Sequence, residues 1–168
     1  LEIGWGTGFN ALLTWSEAHK THRKIHYTGI EAYPVPWDIA QTMDYPQWVE
    51  TPGAADFFEQ MHRVTWGESH ELDSWFTLEK KEMLFEDIRF TSQFDLVYFD
   101  AFGARVQPWL WEQPIFAQMF SALAAGGVLV TYAAKGSVRR AMIEVGFLVE
   151  RLPGPPGKRE MLRAVKPI

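Results

Sequence analysis

LEIGWGTGFN, residues 1–10, is the stretch that decides the fold, because it combines three elements in a fixed order. Residues 1–3 have the composition of a buried strand, residues 4–8 form a glycine-rich turn, and the residues from Asn10 onward have the pattern of a helix. A strand, a tight turn and a helix in this order are typical of the ligand-binding edge of an open α/β sheet. Because the chain begins inside this unit, we expect further elements upstream of residue 1.

The composition indicates an ordinary globular protein. The chain has 168 residues, of which 47% are hydrophobic and 22% charged, and we predict a single domain over residues 1–168. No apolar run reaches the roughly 18 residues that a transmembrane helix needs, so we expect no membrane partner. The absence of cysteine excludes disulfides, thiolate zinc sites and cysteine nucleophiles. We therefore expect a cytoplasmic protein.

The charges are unevenly divided along the chain. Residues 1–134 contain 8 Lys and Arg against 18 Asp and Glu, whereas residues 135–168 contain 8 against 3. The C-terminal segment is therefore basic, although the whole chain carries a net charge of −5. This division indicates either an anionic partner for the C-terminal segment or a solvated surface on which the charges happen to cluster.

Apolar runs that alternate with helical segments predict a parallel sheet covered by helices. Strands are predicted at residues 1–3, 26–32, 76–84, 94–101 and 127–133, and the run at 94–101 is almost continuously apolar. Such runs are typical of strands that are buried on both faces. Helices are predicted at residues 10–19, 36–43, 53–62, 113–124 and 136–145, while the segment 44–77 is otherwise irregular.

Two further strands at the C-terminus must be antiparallel to each other. They are predicted at residues 147–152 and 160–165, and the link between them is too short for the crossover that parallel neighbours require. A mostly parallel α/β sheet that ends in an antiparallel hairpin is the layout of the Rossmann-like class I S-adenosylmethionine-dependent methyltransferases. We therefore predict this fold, with a seven-stranded sheet.

The spacing of the glycines favours S-adenosylmethionine over a nicotinamide cofactor. A dinucleotide-binding turn has the pattern G-x-G-x-x-G, but here the pattern is G-x-G-x-G, with Phe9 in the place of the third dinucleotide glycine. With Glu2 two residues before the first glycine, the stretch resembles motif I of the methyltransferases. Glu31 ends the next strand, where an acid can accept hydrogen bonds from both ribose hydroxyls. A nicotinamide enzyme is the weaker alternative.

The predicted cofactor-binding residues also include an acid that follows the third strand. Either Glu86 or Asp87 is placed to accept a hydrogen bond from the adenine amino group, and the alternative is that both are surface acids. The full predicted set is Glu2, Gly4, Gly6, Gly8, Asn10, Glu31 and Asp87.

Motifs along the whole chain resemble one family. The strongest are YFDAF at residues 98–102, VRR at 138–140 and GKREM at 157–161. They make the chain similar to the MnmC-like tRNA methyltransferases, which complete the 5-methylaminomethyl group on wobble uridine 34. Residues 103–107 depart from the family's usual DAFxPxxNPxxW pattern. Because the chain ends at Ile168 without an oxidase domain, the resemblance implies the stand-alone methyltransferase form.

The resemblance also implies a reaction, in which a methyl group moves from the cofactor's sulfonium to the primary amine of an aminomethyl uridine. The enzyme then mainly supplies proximity, alignment and a neutral amine. Asp100, at the end of the fourth predicted strand, is placed to orient the amine or to accept its proton. Phe102 is placed to stack on the uracil. The alternatives are that Asp100 caps the following turn and that Phe102 belongs to the core.

Basic residues of the C-terminal segment are predicted to bind the phosphates of the tRNA anticodon region. These residues are Arg139, Arg140, Lys158 and Arg159. His19 and His22 have the spacing of a metal-binding pair, but the neighbouring Lys and Arg residues indicate an exposed helix end, and we predict no metal site.

We therefore predict an S-adenosylmethionine-dependent N-methyltransferase that acts on the aminomethyl group of wobble uridine 34 in tRNA. One alternative is a spermidine-synthase-like aminopropyltransferase, which shares the fold and the glycine turn. The basic C-terminal segment disfavours it, because polyamine sites are usually acidic. The other alternative is a non-catalytic module that binds S-adenosylmethionine, and the intact glycine turn, Glu31 and Asp100 disfavour it.

Overall fold

The computed structural model describes residues 1–103, 105–154 and 156–168, which form two compact units. The first unit consists of Leu1–Gly4 and Leu84–Ile168, and the second of Trp5–Met83. The strands are β1 (Glu2–Ile3), β2 (Ile25–Glu31), β3 (Ser69–Glu71), β4 (Phe76–Glu82), β5 (Phe94–Phe99), β6 (Leu123–Thr131), β7 (Leu148–Pro153) and β8 (Glu160–Val165). The helices are α1 (Phe9–Thr21), α2 (Trp37–Ala40), α3 (Ala54–Arg63), α4 (Gln113–Ala122) and α5 (Gly136–Glu144). Short 3₁₀ helices occupy Gln41–Met43, Tyr45–Trp48, Phe85–Asp87 and Pro108–Trp111.

The sheet of the first unit has the strand order β1-β5-β6-β8-β7. β1, β5 and β6 are parallel, and β8 is antiparallel to both β6 and β7. The predicted C-terminal antiparallel hairpin is therefore confirmed. Two ion pairs join its strands: Arg163 Nε lies 2.7 Å from Glu150 Oε1, and Arg151 Nε lies 3.7 Å from Glu160 Oε2.

The strands of the second unit are β2, β3 and β4. β2 and β4 are parallel over their whole length, and β3 pairs with β4 in the antiparallel direction. β3 lies in the segment that is predicted to be irregular. The sequence does not predict this strand because its three residues are all polar and show no apolar alternation. The described residues thus contain eight strands rather than the predicted seven, and Asp100 follows the fifth strand rather than the fourth.

Helix bounds depend on local backbone signals. α1 begins one residue earlier than predicted because Gly8, with a φ of 79°, ends the turn and caps the helix, and it continues to the left-handed backbone of His22. The predicted helix at 36–43 is divided into α2 and a 3₁₀ helix, and the left-handed backbone of Asp44 ends it. None of the helices in the described part of the chain is long and apolar enough to cross a membrane.

Each unit has its own apolar core built around aromatic rings. In the first unit the ring of Phe99 lies 5.1 Å from that of Trp111 and 5.3 Å from that of Phe116, and all three side chains are buried. In the second unit Trp15 and Phe57 stack with their ring centroids 4.3 Å apart. Side chains of this size contribute about 1.5–3 kcal/mol each when they are fully buried. Both cores therefore stabilise the strands from which the loops at the strand ends begin.

Candidate functional site

The glycine-rich turn of the second unit is fixed to the end of β2. The backbone N–H of Trp5 donates to the carbonyl of Ile30 at 3.0 Å, and the N–H of Gly8 donates to the carbonyl of Trp5 at 2.9 Å. The indole of Trp5 packs against Gly29, where a Cβ would lie 2.4 Å from Trp5 Cε3. A side chain at position 29 would therefore push the turn away from the strand.

Gly6 and Gly8 both have left-handed backbone, with φ angles of 54° and 79°, which glycine adopts without strain. A Cβ on Gly8 would lie 2.6 Å from Met61 Cε, so this position is already filled by the unit itself. A Cβ on Gly6 would meet no described atom within 4 Å. The backbone at Gly6 is thus the open part of the turn.

The carboxylate of Glu31 is hydrogen-bonded to this open part of the turn. Glu31 ends β2 and is only 8% exposed. Its Oε2 accepts a hydrogen bond from the N–H of Gly6 at 2.9 Å, and its Oε1 accepts one from the N–H of Tyr33 at 3.1 Å. Each carboxylate oxygen has two lone pairs and can also accept from a hydroxyl group. These residues therefore fit the ribose of S-adenosylmethionine, although the cofactor role of Glu31 stays a prediction.

Glu2 and Gly4 belong to the first unit. Glu2 lies on β1, in register with Tyr98 of β5, and is 1% exposed. Gly4 has a φ of 89°, and a Cβ there would lie 2.7 Å from the carbonyl oxygen of Asp100. Only glycine lets the chain leave β1 so close to the backbone of Asp100. The predicted contacts of Glu2 and Gly4 with the cofactor stay predictions.

Asn10 and Asp87 complete the predicted cofactor set. Asn10 is half-buried in the first turn of α1, where its carbonyl accepts a hydrogen bond from Thr14 Oγ1 at 2.7 Å. Asp87 ends the 3₁₀ helix Phe85–Asp87 of the first unit, and both Asp87 and Glu86 are exposed. Either acid is therefore accessible to a ligand, and the assignment of Asp87 stays a prediction.

Asp100 begins a loop that side chains of the first unit hold in place. Asp100 directly follows β5 and is exposed. The carbonyl of Ala101 accepts a hydrogen bond from the hydroxyl of Tyr132, and the carbonyl of Phe102 accepts one from Trp111 Nε1, each at 2.8 Å. Two donors thus fix the backbone of the loop that begins at Asp100.

Phe102 is 68% exposed, so the alternative that it belongs to the core is wrong. Its ring is accessible as a stacking surface. Burial raises the pKa of the Tyr132 hydroxyl, and the negative charge of Asp100 raises that pKa further. The Tyr132 phenol therefore stays protonated at neutral pH and remains a donor to the loop.

Sequence reasoning assigns no role to Tyr132 or Trp111, although both hold the loop. For Tyr132 a signal was present, because it directly follows β6 as Asp100 directly follows β5. The carboxyl ends of neighbouring parallel strands meet at the same edge of a sheet. Trp111 carries no such signal, because its contact depends on how the 3₁₀ helix Pro108–Trp111 folds back on the loop.

A cavity of about 630 Å³ lies beside this loop in the first unit. Its lining comes from the loop after β5, the segment after β6 and the turn before β8, and it includes four cationic residues: Arg105, Lys135, Lys158 and Arg159. Arg139 and Arg140 lie on α5, outside the described lining. The structure therefore brings two of the four predicted RNA-binding residues to the cavity and places the other two on a helix.

His19 and His22 have separate partners in the second unit. His19 Nε2 lies 2.8 Å from Asp73 Oδ2, which also accepts a hydrogen bond from Trp15 Nε1 at 2.7 Å. His22 packs edge-on against Trp75. Within the described ranges, no group of three or more His, Cys, Asp or Glu side chains is arranged to hold a metal ion.

A buried lysine of the second unit was also missed. Lys80 is 1% exposed, its Nζ donates to the carbonyl of His62 at 2.9 Å, and it lies 5.0 Å from the centre of the Trp66 ring. Burial lowers the pKa of Lys80 to about 8. The signal for this position was the alternation of β4, which places Lys80 on the same face as the buried Phe76 and Leu78.

Comparisons with known proteins show which family has a sequence similar to this chain. A family model described as S-adenosyl-L-methionine-dependent methyltransferase matches residues 47–167. Two curated relatives are named tRNA 5-methylaminomethyl-2-thiouridine biosynthesis bifunctional protein MnmC. The chain is 29% identical over 174 residues to the one from Aromatoleum aromaticum and 31% identical over 180 residues to the one from Polaromonas naphthalenivorans. Each alignment covers 97% of this chain but 27% of the relative, so the chain spans about a quarter of these proteins.

Solved structures show the same fold. MNMC2 from Aquifex aeolicus matches with a TM-score of 0.71 at 18% identity, over 99% of this chain and 54% of that one. A SAM-dependent methyltransferase from Methanosarcina mazei matches with a TM-score of 0.57 at 17% identity, over 99% of this chain and 91% of that one. The predicted Rossmann-like methyltransferase fold is confirmed, and so is the resemblance to MnmC-like proteins.

Proposed function

This chain belongs to a family of S-adenosyl-L-methionine-dependent methyltransferases, and from this premise we propose that it methylates the aminomethyl group of wobble uridine 34 in tRNA. The family match confirms the predicted class of enzyme and the predicted cofactor. It also favours methyl transfer over the aminopropyl transfer that the fold alone would allow.

The observation that carries the substrate proposal is the similarity to the two MnmC proteins, which extends over 97% of this chain. Those relatives are named for the biosynthesis of 5-methylaminomethyl-2-thiouridine in tRNA. The group in that name is a methylated amine on a uridine. Transfer of a methyl group to an aminomethyl uridine would produce it in one step, and a methyltransferase is the enzyme class that this step requires.

We assign the cofactor contacts of the second unit to Gly6 and Glu31, with Gly8 shaping the turn against Met61. In this assignment Glu31 accepts hydrogen bonds from the ribose hydroxyls while it keeps its hydrogen bond from Gly6. The open backbone at Gly6 allows the cofactor to approach closely. Once bound, S-adenosylmethionine supplies a methyl group that its sulfonium already activates. Glu2, Gly4, Asn10 and Asp87 complete the proposed set.

Asp100 prepares the amine in this proposal. An alkylammonium group must lose a proton before it can accept a methyl group, and a positioned carboxylate can accept that proton or orient the neutral amine. The hydrogen bonds from Tyr132 and Trp111 fix the loop that carries Asp100, which reduces the loss of freedom at the moment of reaction. The exposed ring of Phe102, two residues further, provides a stacking face for the uracil.

Nucleoside mass spectrometry tests the proposal directly. The protein is incubated with S-adenosylmethionine that carries a deuterated methyl group and with tRNA whose uridine 34 bears the aminomethyl group. We expect the labelled methyl group on that amine, and no label when the tRNA carries unmodified uridine 34. Label on a different nucleoside, or methylation of the unmodified tRNA to the same extent, would contradict the assigned substrate.

A further inference from the structure

One cavity of the first unit combines an aromatic ring with an excess of positive charge. It is the cavity of about 630 Å³ that Tyr132, Lys158 and Arg159 line, and we call it the Tyr132 pocket. The carboxyl end of β6 supplies Tyr132, and the turn before β8 supplies the two basic residues. The pocket therefore lies at the edge of the sheet where β5 also ends and where Asp100 begins its loop.

The ring of Tyr132 is held as a fixed platform. Its hydroxyl donates to the carbonyl of Ala101 at 2.8 Å, and Trp111 contacts it edge-on, with ring centroids 5.8 Å apart and planes at 72°. The hydrogen bond is made at the rim of the ring, and the Trp111 contact is T-shaped rather than stacked. Lys158 lies over one face, with its Nζ 4.8 Å from the ring centre. That face can stack on a planar group if the ammonium moves aside.

The charges around the pocket favour an anion. Among the described residues, its lining has four cationic side chains but a single acid, Glu160. Glu160 Oε2 lies 3.7 Å from Arg151 Nε, which partly neutralises its charge. Lys158 and Arg159 are exposed and can turn toward a phosphate. A planar stacking surface beside several cations is the combination that binds a nucleotide of single-stranded nucleic acid, because each nucleotide brings one ring and one phosphate.

We propose that the Tyr132 pocket binds the nucleotide that neighbours the methylated one in a single-stranded RNA loop. The base of that neighbour stacks on Tyr132 in the place that the Lys158 ammonium occupies, and Lys158 moves to the phosphate together with Arg159. The proposal rests on the proposed function for the identity of the RNA. It adds a second base-binding position beyond the loop that carries Asp100. It also means that Lys158 contacts either the Tyr132 ring or the RNA phosphate, but not both at once.

Fluorescence of short RNAs tests the stacking step. The probes are two trinucleotides with a central uridine, which carry the fluorescent base 2-aminopurine on its 5′ side or on its 3′ side. We expect the full chain to quench the fluorescence of one of them. Tyr132→Phe keeps the ring but loses the hydrogen bond to Ala101, so it should keep the quenching with a smaller loss of affinity. Tyr132→Leu should remove the quenching and weaken binding about 5- to 150-fold.

Lys158→Ala gives a sharper test, because the two partners of Lys158 predict opposite effects. Without the ammonium, the face of Tyr132 is uncovered, so the uncharged nucleoside adenosine, titrated into protein whose cofactor site is saturated with S-adenosylhomocysteine, should bind about 2- to 5-fold more tightly. The trinucleotides should bind more weakly, with a shallower dependence on salt, because a phosphate contact is lost. Lys24→Ala removes an exposed lysine of the second unit and should change neither affinity.

These measurements do not depend on methyl transfer, so they separate this proposal from the proposed function. Unchanged quenching in Tyr132→Leu would overturn the pocket, and so would a Lys158→Ala protein that binds adenosine and the trinucleotides with affinities changed in the same direction. Equal affinity for inorganic phosphate and for the trinucleotides would reduce the pocket to a simple anion site. Stacking without tRNA methylation would instead refute the substrate assignment and keep the pocket.

Discussion

The carboxylate of Glu31 accepts a hydrogen bond from the backbone N–H of Gly6 at 2.9 Å, so that a nearly buried side chain supports the one open residue of the glycine turn. The same oxygen atoms have the capacity to accept from hydroxyl groups. In the proposed site, Glu31 therefore has two functions, support of the turn and recognition of the ribose, and substitutions can separate them.

Glu31→Ala should weaken the binding of S-adenosylmethionine by about 1.5–3 kcal/mol, because a charged hydrogen-bond acceptor is lost. Glu31→Gln keeps one oxygen that can accept from Gly6 and should show a smaller loss. Calorimetric titration with S-adenosylmethionine and with S-adenosylhomocysteine measures both variants. An Ala variant that binds as tightly as the native protein would remove Glu31 from the cofactor site.

Gly6→Ala should lower cofactor affinity by about 1–3 kcal/mol, because the added methyl group fills the open side of the turn. Gly53→Ala is the matched control. Gly53 also has a positive φ, of 84°, and its added Cβ would likewise meet no described atom within 4 Å, but it caps α3. Both variants should lose about 1–2 kcal/mol of unfolding free energy through the left-handed backbone, measured by denaturant titration. Equal losses of cofactor affinity in the two variants would contradict the assignment of Gly6.

Asp100→Asn should lower turnover roughly 10²–10⁴-fold, the usual range for a positioned acid–base group. Cofactor affinity should change little, because Glu31 and the turn are assigned most of it. The rate should rise with pH as the amine loses its proton, and more steeply in the variant. Single-turnover kinetics measure the effect, and circular dichroism must show that the variant is folded. A folded variant with nearly full turnover would make Asp100 a structural residue.

Removal of phosphate-binding cations should flatten the salt dependence of tRNA binding. Each contacting residue is expected to contribute about 0.7–0.9 to the slope of log affinity against log salt. The structure separates the predicted residues into two groups, so two double-alanine variants are compared. One replaces Lys158 and Arg159, and the other replaces Arg139 and Arg140. Replacement of the exposed Lys20 and Lys24 is the control. A pair that leaves the slope unchanged belongs to a solvated surface.

Lys80 should make the protein more stable as the pH rises above about 8. Its pKa is about 8 in the folded protein, below the ordinary lysine value of 10.5, so between these values the unfolded chain binds more protons. Stability then increases with pH, by up to about 1.4 kcal/mol per pH unit, and below pH 8 the cost of the buried charge is fully present. Denaturant titrations at several pH values measure this slope.

Lys80→Met is the variant that isolates the slope. It leaves the His62 carbonyl without its Nζ donor, so its absolute stability is not diagnostic. Its change in unfolding free energy between pH 8 and pH 10 should be smaller than that of the native protein. Parallel slopes in the two proteins would show that Lys80 titrates normally.

The long apolar strands and the glycine-rich turn were predictable from the sequence because their signals are local. β5 is an almost continuously apolar run that is followed by an acid, and Gly6 and Gly8 stand where the backbone is left-handed, a conformation that favours glycine. The short strand β3 was not predictable, because its register is set by β4 rather than by its own three residues. Local patterns therefore predicted the long strands of the sheet but not the short polar strand β3.

The proposed acceptor side of the site was only partly predictable, for a different reason. Asp100 and Phe102 stand in one motif, but the Tyr132 hydroxyl that holds their loop comes from the end of another strand. The contact between Lys158 and Tyr132 depends on the path of the hairpin turn, which sequence spacing does not define. The charge of residues 135–168 indicated an anionic partner, yet only the fold distinguishes the cations of the Tyr132 pocket from those on α5.

The C-terminal hairpin also affects how copies of this chain behave toward one another in solution. β7 is the outermost strand in the sheet of the first unit. The unpaired N–H and C=O groups of an edge strand can pair with a strand of another chain. Here the exposed Glu150 and Arg151 pair with residues of β8, and Pro153 at the end of the strand has no N–H to donate. A second chain that added to this edge would desolvate these charges and lose a ladder hydrogen bond. The hairpin that completes the fold therefore also protects the protein against edge-to-edge aggregation.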